Sequence, residues 1–291
     1  SPDVFTIWIR ITNTTTVSGC FDITSFTTLV EQLPEPVIGT VEPGNTICVD
    51  FATGVLISGR ELNTNITDPD YSFQWYFNGT AITGATAPTY IAQQEGDYTV
   101  VVTSPAPLSC ESDMSPVFTV IKSGPATIEG NGYTVSNYFS DEQVVTINVR
   151  GFGVYEFKMD NGPWQTSNVF TNVTPGSHEV FVRDTQAVGE GCGTITIGGV
   201  SIVNYPKFFT PNGDGYNDTW KIIGLGDQAA TSEVYIFDRF GKLLKQISTG
   251  GEGWDGTFNG TPMPATDYWF TISYEEEGVQ KEFKAHFALK R

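Results

Sequence analysis

The chain has 291 residues, with 33 acidic against 15 basic side chains and a formal net charge of −18. An acidic surface of this kind repels phosphate and anionic lipid headgroups, which argues against nucleic-acid binding and against adsorption on an acidic membrane. No run approaches the ~18 apolar residues that cross a bilayer as a helix. No stretch longer than about ten residues sustains an apolar 3.6 repeat, so a helical protein is not expected.

Gly at 31, Pro at 16 and 13% aromatic residues suit short strands joined by tight turns. Charged residues make up 16% of the chain, below the roughly 25% of ordinary globular domains, so Thr, Ser, Asn and Gly supply much of the polar surface. The charge is uneven. Residues 1–204 hold 21 acidic and 6 basic residues, whereas residues 205–291 hold 12 and 9, with Lys281, Lys284, Lys290 and Arg291 gathered at the C-terminus. The sequence opens at Ser1-Pro2 without a signal peptide. It reads as the C-terminal piece of a longer polypeptide whose export signal lies upstream.

Residues 1–36 predict two strands, Phe5–Asn13 and Phe21–Val30, with Phe5, Ile7, Ile9 and Ile11 on one face. Two strands are marginal alone, so they are expected to be the C-terminal strands of an incomplete upstream β-module. Leu33-Pro34-Glu35-Pro36 then forms a stiff linker.

Residues 37–122 predict a β-sandwich centred on Tyr71–Thr80, a strand ending in an Asn78-Gly79 hairpin turn. Glu95-Gly96-Asp97-Tyr98 leads into a second alternating strand. A Trp in a middle strand followed by Gly-Asp-Tyr resembles the immunoglobulin-like and polycystic-kidney-type modules of bacterial surface proteins. The resemblance implies that Trp75 fills the core and Tyr98 closes a corner.

Residues 123–204 predict a second sandwich. Tyr155–Trp164 reads as a strand with an Asn161-Gly162 turn, and Gly176–Asp184 as a later alternating strand. The Asn-Gly turn, a later Gly and an alternating strand recur, with 17 residues from Gly79 to Gly96 in the first sandwich and 14 from Gly162 to Gly176 in the second, a weak internal repetition that suggests modules in series. The Asp160-Asn161-Gly162 turn and the closing Val182-Arg183-Asp184 resemble the short repeats of SprB-type gliding adhesins of Bacteroidetes.

Residues 205–291 carry five motifs in order: Tyr205–Gly215 (YPKFFTPNGDG), Val234–Leu244 (VYIFDRFGKLL), Gly253–Thr257 (GWDGT), Pro262–Trp269 (PMPATDYW) and His286–Arg291 (HFALKR). Taken together they resemble the gliding motility-associated C-terminal domain, the type B sorting domain of the type IX secretion system. Ala285 stands where that family generally has Gly. The strand patterns predict a small β-sandwich. Val234, Ile236 and Phe240 should share one side of a strand, and Tyr268–Ser273 should form a strand covered on both faces. Phe283, Ala285, Phe287 and Leu289 should share one face of the last strand. The fold class is therefore all-β: tandem immunoglobulin-like sandwiches in series, ending in a small C-terminal sandwich.

The sorting-domain resemblance implies export by the type IX translocon, docking to a PorP/SprF-type outer-membrane protein, and a location at the cell surface. Arg239, Lys242, Trp269, Lys290 and Arg291 are the candidate partner-binding residues, by strand addition or knob-in-pocket packing. The leading reading is the non-catalytic C-terminal region of a secreted adhesin. The alternatives are the sorting region of an exported hydrolase with its catalytic domain upstream, and a carbohydrate-binding module using Trp75 and Trp164.

No cofactor is expected, and calcium is the one ion for which oxygen ligands stand together, at Asn212, Asp214, Asn217 and Asp218. Their spacing is not that of an EF-hand, and Asn/Asp/Gly runs also form hydrogen-bonded turns. His178 and His286 read as packing or hydrogen-bonding residues, and no nucleophile-elbow pattern exists. Glu275, Glu276 and Glu277, like Asp68 and Asp70, read as solvated turns rather than a catalytic pair.

None of Cys20, Cys48, Cys110 and Cys192 falls in a C-x-x-C pair, which argues against zinc and thioredoxin-like chemistry. Cys48 and Cys110 bracket the first sandwich and are the expected disulfide among the three possible connectivities. Cys20 is expected to have its partner upstream.

Overall fold

The computed structural model describes residues 3–15, 21–30, 32–186, 191–225, 232–276 and 278–291. Among them every regular element is a strand, and no helix is long and apolar enough to cross a membrane. The chain forms two compact units: residues 1–48 with 56–122, and residues 49–55 with 123–291.

The first unit opens with a hairpin of β1 (Asp3–Thr12) and β2 (Phe21–Val30), paired from Asp3↔Val30 to Thr12↔Phe21. Phe5, Trp8, Ile11 and Phe26 are exposed on it. The apolar alternation is therefore present, but nothing among the described residues covers it.

Next come β3 (Gly39–Thr40), β4 (Thr46–Val49), β5 (Leu56–Ser58), β6 (Arg60–Asn63), β7 (Ser72–Phe77), β8 (Thr80–Ala81), β9 (Thr89–Ala92), β10 (Gly96–Thr103) and β11 (Phe118–Ser123). They form one sheet ordered β5-β4-β11-β10-β7-β8 and another ordered β3-β6-β9. Trp75, Leu62, Ala92, Val100 and Val102 are fully buried in it. Trp75 donates its indole N–H to the Ala87 carbonyl at 2.9 Å. Tyr98 donates its hydroxyl to the Gln94 carbonyl at 3.0 Å, the tyrosine corner expected of an immunoglobulin-like sandwich. Asn78 and Gly79 both have positive φ, as a two-residue hairpin turn requires.

The expected Cys48–Cys110 staple is not made. Cys48 is held in another disulfide, and Cys110 keeps a free thiol. Cys110 lies beyond β10 in a loop held by its own hydrogen bonds: its N–H donates to Ser104 Oγ at 3.0 Å, and its thiol faces the Leu108 carbonyl. Cys20 lies outside the described residues.

In the second unit, β12 (Thr127–Ser136), β13 (Val144–Arg150) and β15 (Val169–Thr171) form one sheet. β14 (Tyr155–Met159), β16 (Gly176–Asp184) and β17 (Thr194–Ile202) form the other. Val145, Ile147, Phe157, Val180, Val182 and Val200 are buried between them. The predicted Asn161-Gly162 turn is shifted. It closes from Met159 O to Gly162 N–H, and Asp160 is the residue with positive φ. Asp160 suits that place because its carboxylate accepts from the Glu179 N–H at 2.9 Å and faces His178 Nδ1 at 2.7 Å.

The same unit contains β18 (Phe208–Phe209), β19 (Glu233–Phe237), β20 (Leu243–Ser248), β21 (Thr257–Phe258), β22 (Thr261–Pro262), β23 (Asp267–Glu276) and β24 (Val279–Leu289). Five of these form a sheet ordered β18-β24-β23-β19-β20. All its neighbours are antiparallel except the parallel pair β18–β24. The cover on its apolar face is mostly irregular chain rather than a second full sheet. Trp220 and Trp254 exchange backbone N–H and carbonyl bonds, both at 2.9 Å, and both side chains are fully buried. Trp220 stacks on Phe287 at 3.9 Å, and Trp254 meets Tyr268 edge-on at 4.9 Å. Their indole N–H groups donate to Pro206 O and Thr257 O, so neither ring buries an unpaired donor.

Two sequence expectations change here. Along β23, Tyr268, Phe270, Ile272 and Tyr274 are buried while Trp269, Ser273 and Glu275 are exposed, so the strand is covered on one face only. Phe240 does not share the buried side of Val234 and Ile236; it is 82% exposed, on the turn beyond β19. Phe287 and Leu289 are buried, with Phe283 and Ala285 partly buried on the same core.

Truncating either paired tryptophan leaves a cavity in this layer. Trp220→Ala and Trp254→Ala should each destabilise the terminal domain by about 3–5 kcal/mol. Hydrogen exchange of the β23 and β24 amides measures the loss, and β7 and β10 should be unaffected.

Candidate functional site

The five sequence motifs are distant in the chain, and the sheet gathers them at one end. β19 runs towards this end and β23 starts from it, since Phe237 pairs with Trp269. β24 finishes there, with Ala288 and Leu289 alongside Phe208 and Phe209. The Lys290 N–H donates to Phe209 O, that of Leu289 to Thr266 O, and that of Met263 to Gly256 O. Loop 210–218, turn 238–242, the β21–β22 hairpin, segment 263–267 and the C-terminus therefore adjoin one another.

Loop 210–218 and turn 238–242 are braced from within. Asp218 accepts the Asn212 and Gly213 N–H groups on one carboxylate oxygen, at 3.0 and 2.7 Å, and the Gly215 N–H on the other at 2.8 Å. Asp214 accepts the Tyr216 N–H and the Asn212 side-chain amide. The hydrogen bonds from Gly213 and Gly215 hold the Asp218 carboxyl below its ordinary pKa of 3.8. These oxygens serve the turn's own donors. Asn217 contributes its backbone: its φ is positive and its carbonyl accepts from the Thr210 N–H. Among the described residues no group of three or more His, Cys, Asp or Glu side chains is placed to hold a metal.

Turn 238–242 is built the same way, with Asp238 accepting the N–H groups of Phe240 and Lys242. The Gly-Trp-Asp-Gly motif is explained by close approach. Gly253 and Gly256 both have positive φ. A Cβ on Gly253 would lie 2.7 Å from Trp220 O, and one on Gly256 would lie 2.8 Å from a Leu289 methyl.

Four of the five predicted partner-binding residues lie at this end. Arg239 stacks its guanidinium 5.0 Å from the Phe240 ring, Lys242 lies 4.6 Å from Phe258, and Lys290 lies 4.3 Å from Phe208. Each contact is of cation–π geometry. Burial raises the Tyr268 hydroxyl pKa, and the opposing charges of Arg291 and Asp238 both act on it, which places Arg291 at the same end. Trp269 is 41% exposed on the adjoining outer face of the sheet, beside His286.

Sequence reasoning missed Phe240 as a surface residue. It borders a groove of about 360 Å³ lined also by Arg239, Met263, Pro264 and Tyr268. The signal was its place directly before Gly241, at the tip of a turn. Trp220, outside every quoted motif, was missed as well.

The other residues weighed for chemistry are placed as follows. His178 is held between Asp160 and the Thr174 carbonyl. Trp75 is fully buried, so it has no face to offer a sugar. Trp164 carries Arg183 at 4.2 Å and Lys158 at 5.2 Å over its ring. Glu276 is buried and paired with Lys281 at 2.9 Å, rather than solvated beside Glu275. Glu277 lies outside the described residues.

Asp218→Asn should loosen loop 210–218, because a neutral amide accepts these hydrogen bonds less strongly. A carboxyl with a lowered folded pKa contributes stability above its unfolded pKa, near 3.8, and loses it as pH falls through the folded value. An NMR titration of the Asp218 carboxyl should therefore inflect below 3.8.

Residues 203–289 match the CHU_C Type IX secretion signal domain. No curated protein sequence matches the chain. Among solved structures, immunoglobulin domains 1–4 of Sidekick-1 align at 11% identity and a TM-score of 0.23, over 100% of this chain and 95% of that one. The N-terminal eight immunoglobulin domains of the Down syndrome cell adhesion molecule align at 11% identity and 0.36, over 99% and 45%. A Ca²⁺-stabilized adhesin that helps an Antarctic bacterium bind ice aligns at 12% identity and 0.31, over 98% and 82%. At such scores these three carry no argument about this chain. The family match falls on the five-stranded domain whose motif loops meet at one end, and that C-terminal domain is a type IX secretion signal domain, marking the chain for export from the cell.

Proposed function

We propose that the chain is the non-enzymatic C-terminal region of a secreted cell-surface adhesin. In this reading the terminal domain is the signal handled by the type IX translocon, and it docks a PorP/SprF-type outer-membrane partner after export. The observation that carries it is the convergence of the signal motifs on one braced end of the domain. That end presents Phe240 at 82% exposure and Phe208 at 44%, with Arg239, Lys242, Lys290 and Arg291 around them. Aromatic and Arg side chains are the common anchors of protein interfaces. A surface held by its own hydrogen bonds loses little conformational entropy on binding. The sandwich modules ahead of it, with their Thr-, Ser- and Asn-rich surfaces, suit a stalk that sets the signal apart from an adhesive region.

Deleting residues 203–291 should leave the protein inside a cell that has a functional type IX system. Appearance of that truncation outside the cell at the normal level refutes the signal role. Phe240→Ala with Arg239→Ala should leave the fold intact and weaken capture of the outer-membrane partner tenfold or more, as expected for loss of an interface anchor of about 2 kcal/mol. Capture from solubilised outer membranes by the variant and parent chains measures it.

A further inference from the structure

The core of the signal domain contains a side chain from the preceding sandwich. Phe139, on the loop between β12 and β13, belongs to the same buried cluster as Trp220, Phe270 and Phe287, not to the cluster inside its own module. Its ring stacks on Phe283 at 4.4 Å with planes 8° apart and meets Tyr274 edge-on at 5.1 Å. Beside it, Tyr138 stacks on Tyr274 at 5.7 Å, and its N–H faces the buried Glu276 carboxylate at 3.4 Å.

The loop is shaped for this insertion. Asn137 has φ 59° and Phe139 has φ 65°, and a bulky residue adopts the left-handed region only where its surroundings compensate. Here the Phe139 N–H donates to Val203 O at 3.1 Å. Gln143 donates its side-chain amide to both Ser140 O and Val203 O. The Asn204 amide reaches Asp141.

We propose that loop 137–141 is a plug whose occupancy of the Tyr205–Tyr274–Phe283 socket makes the second sandwich and the signal domain one cooperative folding unit. The domain then presents its native surface only when the module before it is folded. That consequence for export rests on reading the terminal domain as the secretion signal, whereas the folding coupling does not. An unplugged socket exposes three aromatic rings and breaks the aromatic continuity from Phe139 through Phe283 to Phe270. The signal would thus report on the folding of the cargo attached to it.

The test uses the full chain and hydrogen exchange resolved by strand. Phe139→Ala should accelerate exchange of the β23 and β24 amides about a hundredfold or more. Val182→Ala, in the second sandwich's own core and away from the plug, should accelerate β16 and β23 by the same factor. Unchanged β23 exchange in Phe139→Ala, or acceleration of β16 alone in Val182→Ala, overturns the proposal. Should Phe139→Ala prove too unstable to purify, the Val182→Ala comparison decides. In cells, export of Phe139→Ala should fall with the loss of folded signal domain. If exchange is coupled as stated but removal of residues 203–291 does not impair export, the secretion reading fails and the coupling stands. If exchange is uncoupled while that removal blocks export, only the plug fails.

Discussion

A five-stranded sheet with one apolar face must be covered, and in the terminal domain two paired tryptophans pin the cover at its centre. Trp220 and Trp254 exchange hydrogen bonds across the top of the sheet and lay their rings on Phe287 and Tyr268. Much of the surrounding chain is arranged to permit this. Gly253 lacks a side chain because the Trp220 carbonyl occupies the space, and Gly256 because Leu289 does. Pro206 and Thr257 supply the acceptors that the buried indoles need. The signal motifs are thus largely packing requirements of one aromatic layer, and the turns that serve the layer also shape the exposed end.

In the proposed reading this dual role connects stability to recognition. Loop 210–218 and turn 238–242 are each closed by an aspartate that accepts backbone N–H groups. Their conformation is set before any partner arrives. What they present is apolar and cationic, with Phe240 and Phe208 flanked by Arg239 and Lys290.

The extent to which this was legible in the sequence follows from the range of the interactions involved. Local patterns carried well. The alternation in β1, β7, β10 and β24 was visible, as was the Asn78-Gly79 turn, and the five terminal motifs pointed to a sorting domain. Trp75 and Tyr98 occupy the core and corner places that the immunoglobulin-like pattern implied. Non-local partnerships did not carry. Nothing near Trp220 announces that it meets Trp254, and nothing near Phe139 announces that it leaves its own module for another core. Alternation in β23 was read as two-sided cover because Trp269 and Thr271 look apolar enough to be buried, yet among the described residues no layer lies over them. Cysteine spacing suggested Cys48 with Cys110, but Cys48 is held in another disulfide and Cys110 is a free thiol.

The central claim, that the terminal domain is an address read by an export machine, is tested most directly by sufficiency. Residues 123–291 would be joined to an unrelated periplasmic protein in a bacterium with a type IX system, and the fusion's abundance outside the cell compared with that in a strain lacking the translocon. The account predicts export that depends on the translocon and is lost with Trp220→Ala. Retention of the fusion in the periplasm, while the native chain is exported from the same cells, would contradict it.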